Sequence, residues 1–178
     1  NDQANAELHA RQVLRTTRKH ALANYVMGSL RLQAGEYGEA EDFLRRSVET
    51  NPSAAALNDL AETLRRIRKF DEAEQHARAA IKLSPDLYVA WETLAVILLE
   101  SNRNLDEAEQ AIRKSIELFG EDPRVQITLA RILLKKGEVE RCRELVRKLK
   151  SQQGKLTEFD QAELSKLAEQ ASAGRAAK

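Results

Sequence analysis

Two amphipathic patterns alternate along the chain, and each places apolar residues one helical turn apart. In the first pattern one apolar residue directly precedes a small residue, and another follows three residues after it. Arg31 replaces this second apolar residue in one of the four helices. This spacing is typical of a helix that buries one face, and the small residue lets another helix approach closely. The pattern predicts helices over Ala21–Ala34, Ala54–Arg68, Tyr88–Ser101 and Pro123–Lys136, with Gly28, Ala61, Ala95 and Ala130 as the small residues.

The second pattern begins at a recurring small residue, which returns at spacings of 34, 33, 35 and 34 positions. The five residues are Ala6, Ala40, Ala73, Ala108 and Cys142. Short turns, several of them containing Gly or Asn, separate the two patterns, and Pro52 and Pro85 stop two of the second helices. A fixed period in the thirties predicts stacked two-helix units, none of which buries its apolar face alone.

The signature residues of these units resemble the tetratricopeptide repeat (TPR), Trp-x2-Leu-Gly-x2-Tyr followed by Ala-x3-Phe and Pro. The best matching unit has Trp91, Leu94, Ala95 and Leu98, then Ala108 and Ile112. A second unit has Gly28, Gly35, Tyr37, Ala40, Leu44 and Pro52, whereas Asn24, Leu57 and Gln126 replace the aromatic residue elsewhere. The resemblance covers roughly residues 5–150. It implies an all-α fold, a right-handed α-solenoid of antiparallel helix pairs (a TPR superhelix).

The resemblance also divides the chain into about four complete repeats with an incomplete repeat before them. We assign residues 1–20 to the second helix of a truncated repeat, 21–53, 54–87 and 88–122 to TPRs, 123–152 to a degenerate TPR, and 153–178 to a capping helix and tail. Because the first repeat opens at its second helix and no initiator Met is present, we interpret the chain as part of a longer protein. The orphan helix is an expected site of fraying or of dimerisation.

The predicted capping helix extends over Lys155–Ala173. Thr157 or Asp160 is the expected N-cap, and Phe159, Leu164 and Leu167 form the expected apolar stripe. The tail, Gly174–Lys178, is expected to be disordered. With this helix the chain has ten predicted helices.

Composition and candidate chemistry favour binding over catalysis. The net charge of +1 gives no overall field that attracts nucleic acid or an anionic membrane. His9 and His76 lie two repeats apart and cannot share a metal ion, and Cys142 occupies a small-residue position where burial is expected. Acidic pairs such as Glu39/Glu41 recur at second-helix starts, where they complement the helix dipole. No phosphate-binding loop or nucleophile elbow occurs. We expect no catalytic activity, cofactor or metal.

The TPR resemblance implies that first helices line a concave groove that binds the ligand. The predicted groove residues are Tyr25, Ser29, Leu32, Asn58, Glu62, Arg65, Glu92, Val96, Leu99, Ile127, Arg131, Leu134 and Lys135. Many chaperone-binding TPR domains clamp a C-terminal carboxylate at some of these positions, but Glu62 and Glu92 would repel it, so this ligand is not expected. The apolar members suit a helix or extended segment with spaced anchors. Packing of the same residues within the solenoid is the alternative.

Charge is distributed unevenly along the array. Residues 121–155 contain ten basic and five acidic residues, a net charge of +5, whereas residues 88–120 have a net charge of −3. A solvated helix surface, an acidic protein partner and nucleic acid are the three interpretations of the basic segment. Nucleic acid is the least expected, because few aromatic residues are available to stack on bases.

The expected function is a protein-interaction scaffold that binds a peptide or helix of a partner in its concave groove. The alternative is a regulatory or substrate-recruiting arm of a larger enzyme whose catalytic domain lies outside this chain. No apolar run is long enough to span a membrane, and no signal peptide pattern is present. A cytoplasmic location is only the default expectation.

Overall fold

The computed structural model describes residues 2–152, 154 and 156–173, which form ten α-helices and no strand. In chain order the helices are α1 (Asp2–Thr16), α2 (Ala21–Ala34), α3 (Tyr37–Thr50), α4 (Ala54–Arg66), α5 (Phe70–Leu83), α6 (Tyr88–Glu100), α7 (Leu105–Phe119), α8 (Pro123–Lys135), α9 (Val139–Lys150) and α10 (Glu158–Ala173). The four predicted first helices are α2, α4, α6 and α8, and their ends agree with the predicted ranges to within two residues. The predicted all-α fold is confirmed.

The helices divide into two compact units, Asn1–Thr93 (unit one) and Leu94–Lys178 (unit two). Unit one contains α1 to α5 and the start of α6, and unit two contains the rest of α6 and α7 to α10. These units are larger than one helix pair, so they do not test the repeat boundaries assigned from the sequence, which stay predictions.

A left-handed residue ends each first helix. Gly35, Arg68, Asn102 and Gly137 have φ angles of 79°, 65°, 55° and 80°. At every one of these turns, the next residue's N–H donates to the carbonyl five positions earlier, as from Glu36 to Arg31 at 2.9 Å. This is the Schellman arrangement, which satisfies carbonyls that the helix itself leaves free. Gly and Asn adopt the left-handed conformation readily, whereas Arg68 adopts it at a cost of about 1 kcal/mol.

The core of unit one lies between the pairs α2/α3 and α4/α5. Helix α2 packs against α1 and α3, and α4 packs against α3 and α5. The recurring residues Ala40 and Ala73 are fully buried, together with Leu44, Leu60 and Leu64. Helix α2 also contacts α4, so the first helices of neighbouring pairs lie side by side. This layer carries the predicted groove residues of unit one.

The core of unit two is centred on α8, which contacts α7, α9 and α10. Cys142 is fully buried at the recurring small position of α9, as predicted. Burial raises the pKa of the Cys142 thiol. A protonated, inaccessible thiol is a poor nucleophile, so Cys142 serves as a small packing residue.

The predicted N-cap Thr157 of helix α10 is confirmed, whereas the start of the helix and its buried stripe differ from the prediction. The helix begins at Glu158, and Thr157 is its N-cap: the Asp160 N–H donates to Thr157 Oγ1 at 3.2 Å, and the Thr157 N–H donates to Asp160 Oδ2 at 2.9 Å. The assignment of Phe159 to the apolar stripe is wrong, because its side chain is 74% exposed. The buried stripe is Asp160, Leu164, Leu167 and Ala171. The predictions for Lys155 and for the tail 174–178 lie outside the described residues.

Candidate binding site on the first helices

Four polar side chains come together where α2 lies beside α4, and we call Tyr25, Ser29, Asn58 and Asp59 the α2–α4 cluster. Ser29 lies close enough to Tyr25 and to Asp59, and Asn58 close enough to Asp59, to lower the pKa of those groups, and the charge of Asp59 acts on Tyr25. Tyr25, Ser29 and Asn58 were predicted groove residues, and the structure brings all three together. Contact between α2 and α4 positions the cluster at the surface of unit one's first-helix layer.

Asp59 is the residue that sequence reasoning missed. Burial, reinforced by the negative charge of Glu62, raises the pKa of Asp59 above its ordinary value, although the neighbouring polar side chains of Ser29 and Asn58 oppose the shift. Burial also raises the pKa of Tyr25, and the charge of Asp59 adds to this effect. Asp59 precedes Glu62 by three positions, so it shares a helix face with a predicted groove residue, and this spacing is the signal that identifies it.

The amide of Asn58 is incompletely satisfied. Asn58 is only 8% exposed, and its Oδ1 atom has no hydrogen-bond partner among the described residues. A buried acceptor without a donor costs about 1–3 kcal/mol. The α2–α4 cluster therefore combines a desolvated carboxyl group with an unsatisfied amide oxygen.

Glu62 differs from Asp59 in being neutralised by basic residues on its own helix. Arg65 Nη2 lies 2.6 Å from Glu62 Oε1, and Arg66 Nε lies 2.7 Å from the same oxygen. Burial acts to raise the pKa of Glu62, but the hydrogen bonds and charges of Arg65 and Arg66 lower it overall. Since Glu62 is paired, its charge contributes less to repulsion of an anionic ligand than the sequence alone suggested.

The predicted groove residues of unit two differ in accessibility. Leu99 and Ile127 are each only 7% exposed, so most of their surface is used in packing. Val96, Arg131 and Leu134 are half-buried, and Lys135 is exposed. In unit one, Leu32, Arg65 and Glu92 are half-buried. The structure therefore leaves most of the predicted residues partly accessible and three of them, Asn58, Leu99 and Ile127, nearly inaccessible.

Sequence models of known families agree with this repeated helix-pair geometry. One tetratricopeptide repeat model matches residues 1–55, 25–88 and 58–123, and a second matches residues 102–170. The chain belongs to the tetratricopeptide repeat family. Among curated proteins, none matches this TPR chain.

Solved TPR structures share the fold at low sequence identity. PilF of Pseudomonas aeruginosa is 21% identical, with a TM-score of 0.73 over 97% of this chain and 81% of that one. MamA of Desulfovibrio magneticus RS-1 is 17% identical, with a TM-score of 0.73 over 84% of each chain. YrrB, described as a TPR protein with an unusual peptide-binding site, is 18% identical, with a TM-score of 0.70 over 84% of this chain and 77% of that one. These similarities establish the solenoid fold alone.

Grouped metal-ligand residues and membrane-spanning helices are both absent from the described part of the TPR chain. No group of three or more His, Cys, Asp or Glu residues there is arranged to hold a metal ion. None of the described helices combines the length and the apolar character that crossing a membrane requires.

Proposed function

We propose that this TPR protein is an interaction scaffold that binds a segment of a partner protein along its first-helix face, with the α2–α4 cluster as an anchor point. The segment is extended or helical and carries spaced apolar side chains. Next to the cluster it presents hydrogen-bond donors, either backbone N–H groups or a basic side chain.

The observation that carries this proposal is the uncompensated charge of Asp59. No Lys or Arg of the described chain pairs with its carboxylate, and its polar neighbours are the uncharged Ser29 and Asn58. A desolvated carboxylate with few donors is stabilised strongly by an added N–H or cation, because charge-assisted hydrogen bonds are about twice as strong as neutral ones. A donor from a ligand would provide this stabilisation only in the complex.

Within each unit, half-buried apolar residues on the first helices would add binding energy to a segment that lies along that unit. Leu32 in unit one, and Val96 and Leu134 in unit two, keep part of their side chains accessible. Completing the burial of one such side chain contributes about 1 kcal/mol. Leu99 and Ile127 have little left to bury, so we assign them mainly to packing.

The test is a selection of peptides from a random display library on the immobilised protein, followed by affinity measurements with matched variants. Asp59→Asn removes the negative charge and keeps the side-chain shape. Asp42→Asn makes the same change at an exposed residue of second helix α3 and is the control. Enriched peptides are expected to bind Asp59→Asn roughly tenfold more weakly than the parent, and Asp42→Asn equally well.

Two results would contradict the proposal. In one, no peptide is enriched above a bare support. In the other, enriched peptides bind Asp59→Asn, and also a Tyr25→Ala variant, as tightly as the parent. Circular dichroism of each variant, with the same helix content as the parent, ensures that lost binding does not reflect lost folding.

A further inference from the structure

A furrow lies between α1 and α3, with α2 as its floor. One part is a cavity of about 690 Å³ lined by residues that include Leu14, Asn24 and Phe43. The other part has a volume of about 660 Å³, shares Leu14 and Phe43, and adds Met27. The two cavities are adjacent, because Leu14, Arg18 and Phe43 line both of them, and we call the two together the α1–α3 furrow. Second helices form its walls, so it is separate from the first-helix surface described above.

The floor of the furrow is apolar and firmly supported. Met27 is 3% exposed and belongs to a buried cluster with Ala10 and Ala23. Leu14 and Phe43 pack against this cluster and remain half-buried, so part of each side chain faces the furrow. Such a floor would receive one or two apolar side chains of a ligand without rearrangement of the core.

The rim of the furrow is basic and largely unpaired. Arg15, Arg18, Lys19 and Arg46 are exposed, and no described carboxylate lies within ion-pair distance of any of them. Arg46 lies over the Phe43 ring, with Cζ 5.5 Å from the ring centroid. The sequence explains this excess, because residues 8–35 include five basic residues and no acidic one.

Acidic side chains offset little of this charge. Glu39 lines the furrow, but Arg31 already pairs with it, with Nε 3.1 Å from Oε2. Glu49 is the other acidic residue that lines it. An apolar floor with a net basic rim is complementary to a segment that carries both apolar and acidic residues.

We propose that the α1–α3 furrow binds an acidic segment of a partner protein. An apolar side chain of the segment packs on Leu14 and Phe43, and its carboxylates lie against Arg15, Lys19 and Arg46. A protein is favoured over nucleic acid because a phosphate backbone has no group for the apolar floor. Stacking of bases also requires open aromatic faces, and Arg46 already covers one face of Phe43.

The test uses a fluorescent peptide of about twelve residues, mostly Glu and Asp, with Leu and Phe four positions apart so that both lie on one helical face. A second peptide has Gln in place of every Glu and Asn in place of every Asp. Binding is measured by fluorescence anisotropy. The acidic peptide is expected to bind in the micromolar range and at least about tenfold more tightly than the neutral peptide.

The protein variants separate the furrow from general charge attraction. The double variant Arg15→Glu/Arg46→Glu reverses two rim charges that have no ion-pair partner, and it is expected to weaken binding at least about tenfold. The control Lys82→Glu/Lys166→Glu makes the same change in net charge at exposed residues of α5 and α10, and should bind as the parent does.

Three outcomes would overturn the proposal. In the first, the acidic and neutral peptides bind with equal affinity. In the second, the rim variant and the control variant lose the same affinity for the acidic peptide. In the third, a single-stranded DNA of equal charge binds more tightly than the acidic peptide and loses affinity only with the rim variant. The last result would identify the furrow as a nucleic-acid site.

Discussion

Gly28 shows how a single backbone position determines the packing of a helix pair. A Cβ atom at this residue would lie 2.5 Å from Leu44 Cγ and 3.1 Å from the Leu44 backbone nitrogen. Leu44 is fully buried, so neither it nor its backbone has space to move away. The close approach of α2 to α3 therefore depends on the absence of a side chain at Gly28.

We expect Gly28→Ala to lower the free energy of unfolding by about 1–3 kcal/mol, because the added methyl group overpacks a filled core. Gly38→Ala, in helix α3, is the matched control, since a Cβ atom at Gly38 would meet no atom within 4 Å. That substitution should leave stability unchanged or raise it by up to about 1 kcal/mol. Urea unfolding followed by circular dichroism measures both, and an equal response of the two variants would refute the packing argument.

Residue spacing predicted much of the core, and its failures have physical causes. Alignment of Gly28 with Ala61, Ala95 and Ala130 correctly identified a position for small residues. The need for Gly in particular becomes visible only through its contact with Leu44. Phe159 was assigned to the buried stripe because it is large and apolar, but its position does not fit the helical period. Leu164, Leu167 and Ala171 continue a face that begins at Asp160 and not at Phe159.

At the scale of the element, the recurring acidic residues of the second helices have a role beyond the helix dipole. A Glu follows the recurring small residue in α1, α3, α5 and α7, and in α1, α3 and α7 it pairs with a cation at or just beyond the end of the following first helix. The pairs are Glu7 with Arg31 at 2.6 Å, Glu41 with Lys69 at 2.8 Å, and Glu109 with Lys136 at 2.6 Å. Each pair links a second helix to the end of the first helix that follows it. The sequence showed the recurrence of the Glu residues but not the partners, which lie 24 to 28 residues away.

The final second helix, α9, breaks this pattern in a way that suits its position. Arg143 follows Cys142, and its guanidinium donates a hydrogen bond to the carbonyl of Ala171 near the end of α10. A cation at this end also complements the negative end of the helix dipole. The change from Glu to Arg therefore joins α9 to the last described helix instead of to another repeat.

Glu109 is the most strongly coupled member of the series, and we expect Glu109→Gln to lower the free energy of unfolding by about 2 kcal/mol at neutral pH. Its carboxylate pairs with Lys136, Arg141 at 2.7 Å and Arg113 at 2.8 Å, and its side chain is 10% exposed. Burial acts to raise the pKa of Glu109, but hydrogen bonds from these three cations outweigh it and lower the pKa from 4.5 to about 2.

The pH dependence of this effect has a defined sign. Because folding lowers the pKa of Glu109, its stabilising contribution is present above pH 4.5 and is lost as the pH falls from 4.5 towards 2. The stability difference between parent and Glu109→Gln should therefore shrink over that interval in denaturant titrations. Glu117→Gln, at an exposed pair with Lys114 on the same helix, is the control and should change stability by less than about 0.5 kcal/mol. A difference that is constant with pH would exclude this role for Glu109.

At the scale of the whole molecule, periodicity predicted the architecture better than the binding site. Stacked helix pairs are identified by three features of the sequence: a repeat of 33 to 35 residues, a recurring turn, and a recurring position for a small residue. The residues that we propose for binding lie on the faces that the repeat leaves variable, so no period marks them. Asp59 is detectable only from its neighbours Ser29 and Asn58, and the α1–α3 furrow only from cavities between separate helices.

Stability in a repeat protein is a sum of local contributions, and this property gives a prediction about where two of the variants act. Gly28 and Leu44 belong to unit one, whereas Glu109 and its three cationic partners belong to unit two. In native-state hydrogen exchange, Gly28→Ala should reduce amide protection mainly in α2 and α3. Glu109→Gln should reduce it mainly in α7, α8 and α9.

The expected increase in the amide exchange rate follows from the stability changes, since each 1.4 kcal/mol of lost local stability accelerates exchange about tenfold. The two variants serve as controls for each other, because each should leave the most protected amides of the other unit within about twofold of the parent. Uniform acceleration across both units by either variant would show instead that the chain opens as one cooperative body. In that case the inter-repeat pairs of Glu109 would stabilise the entire array and not one segment of it.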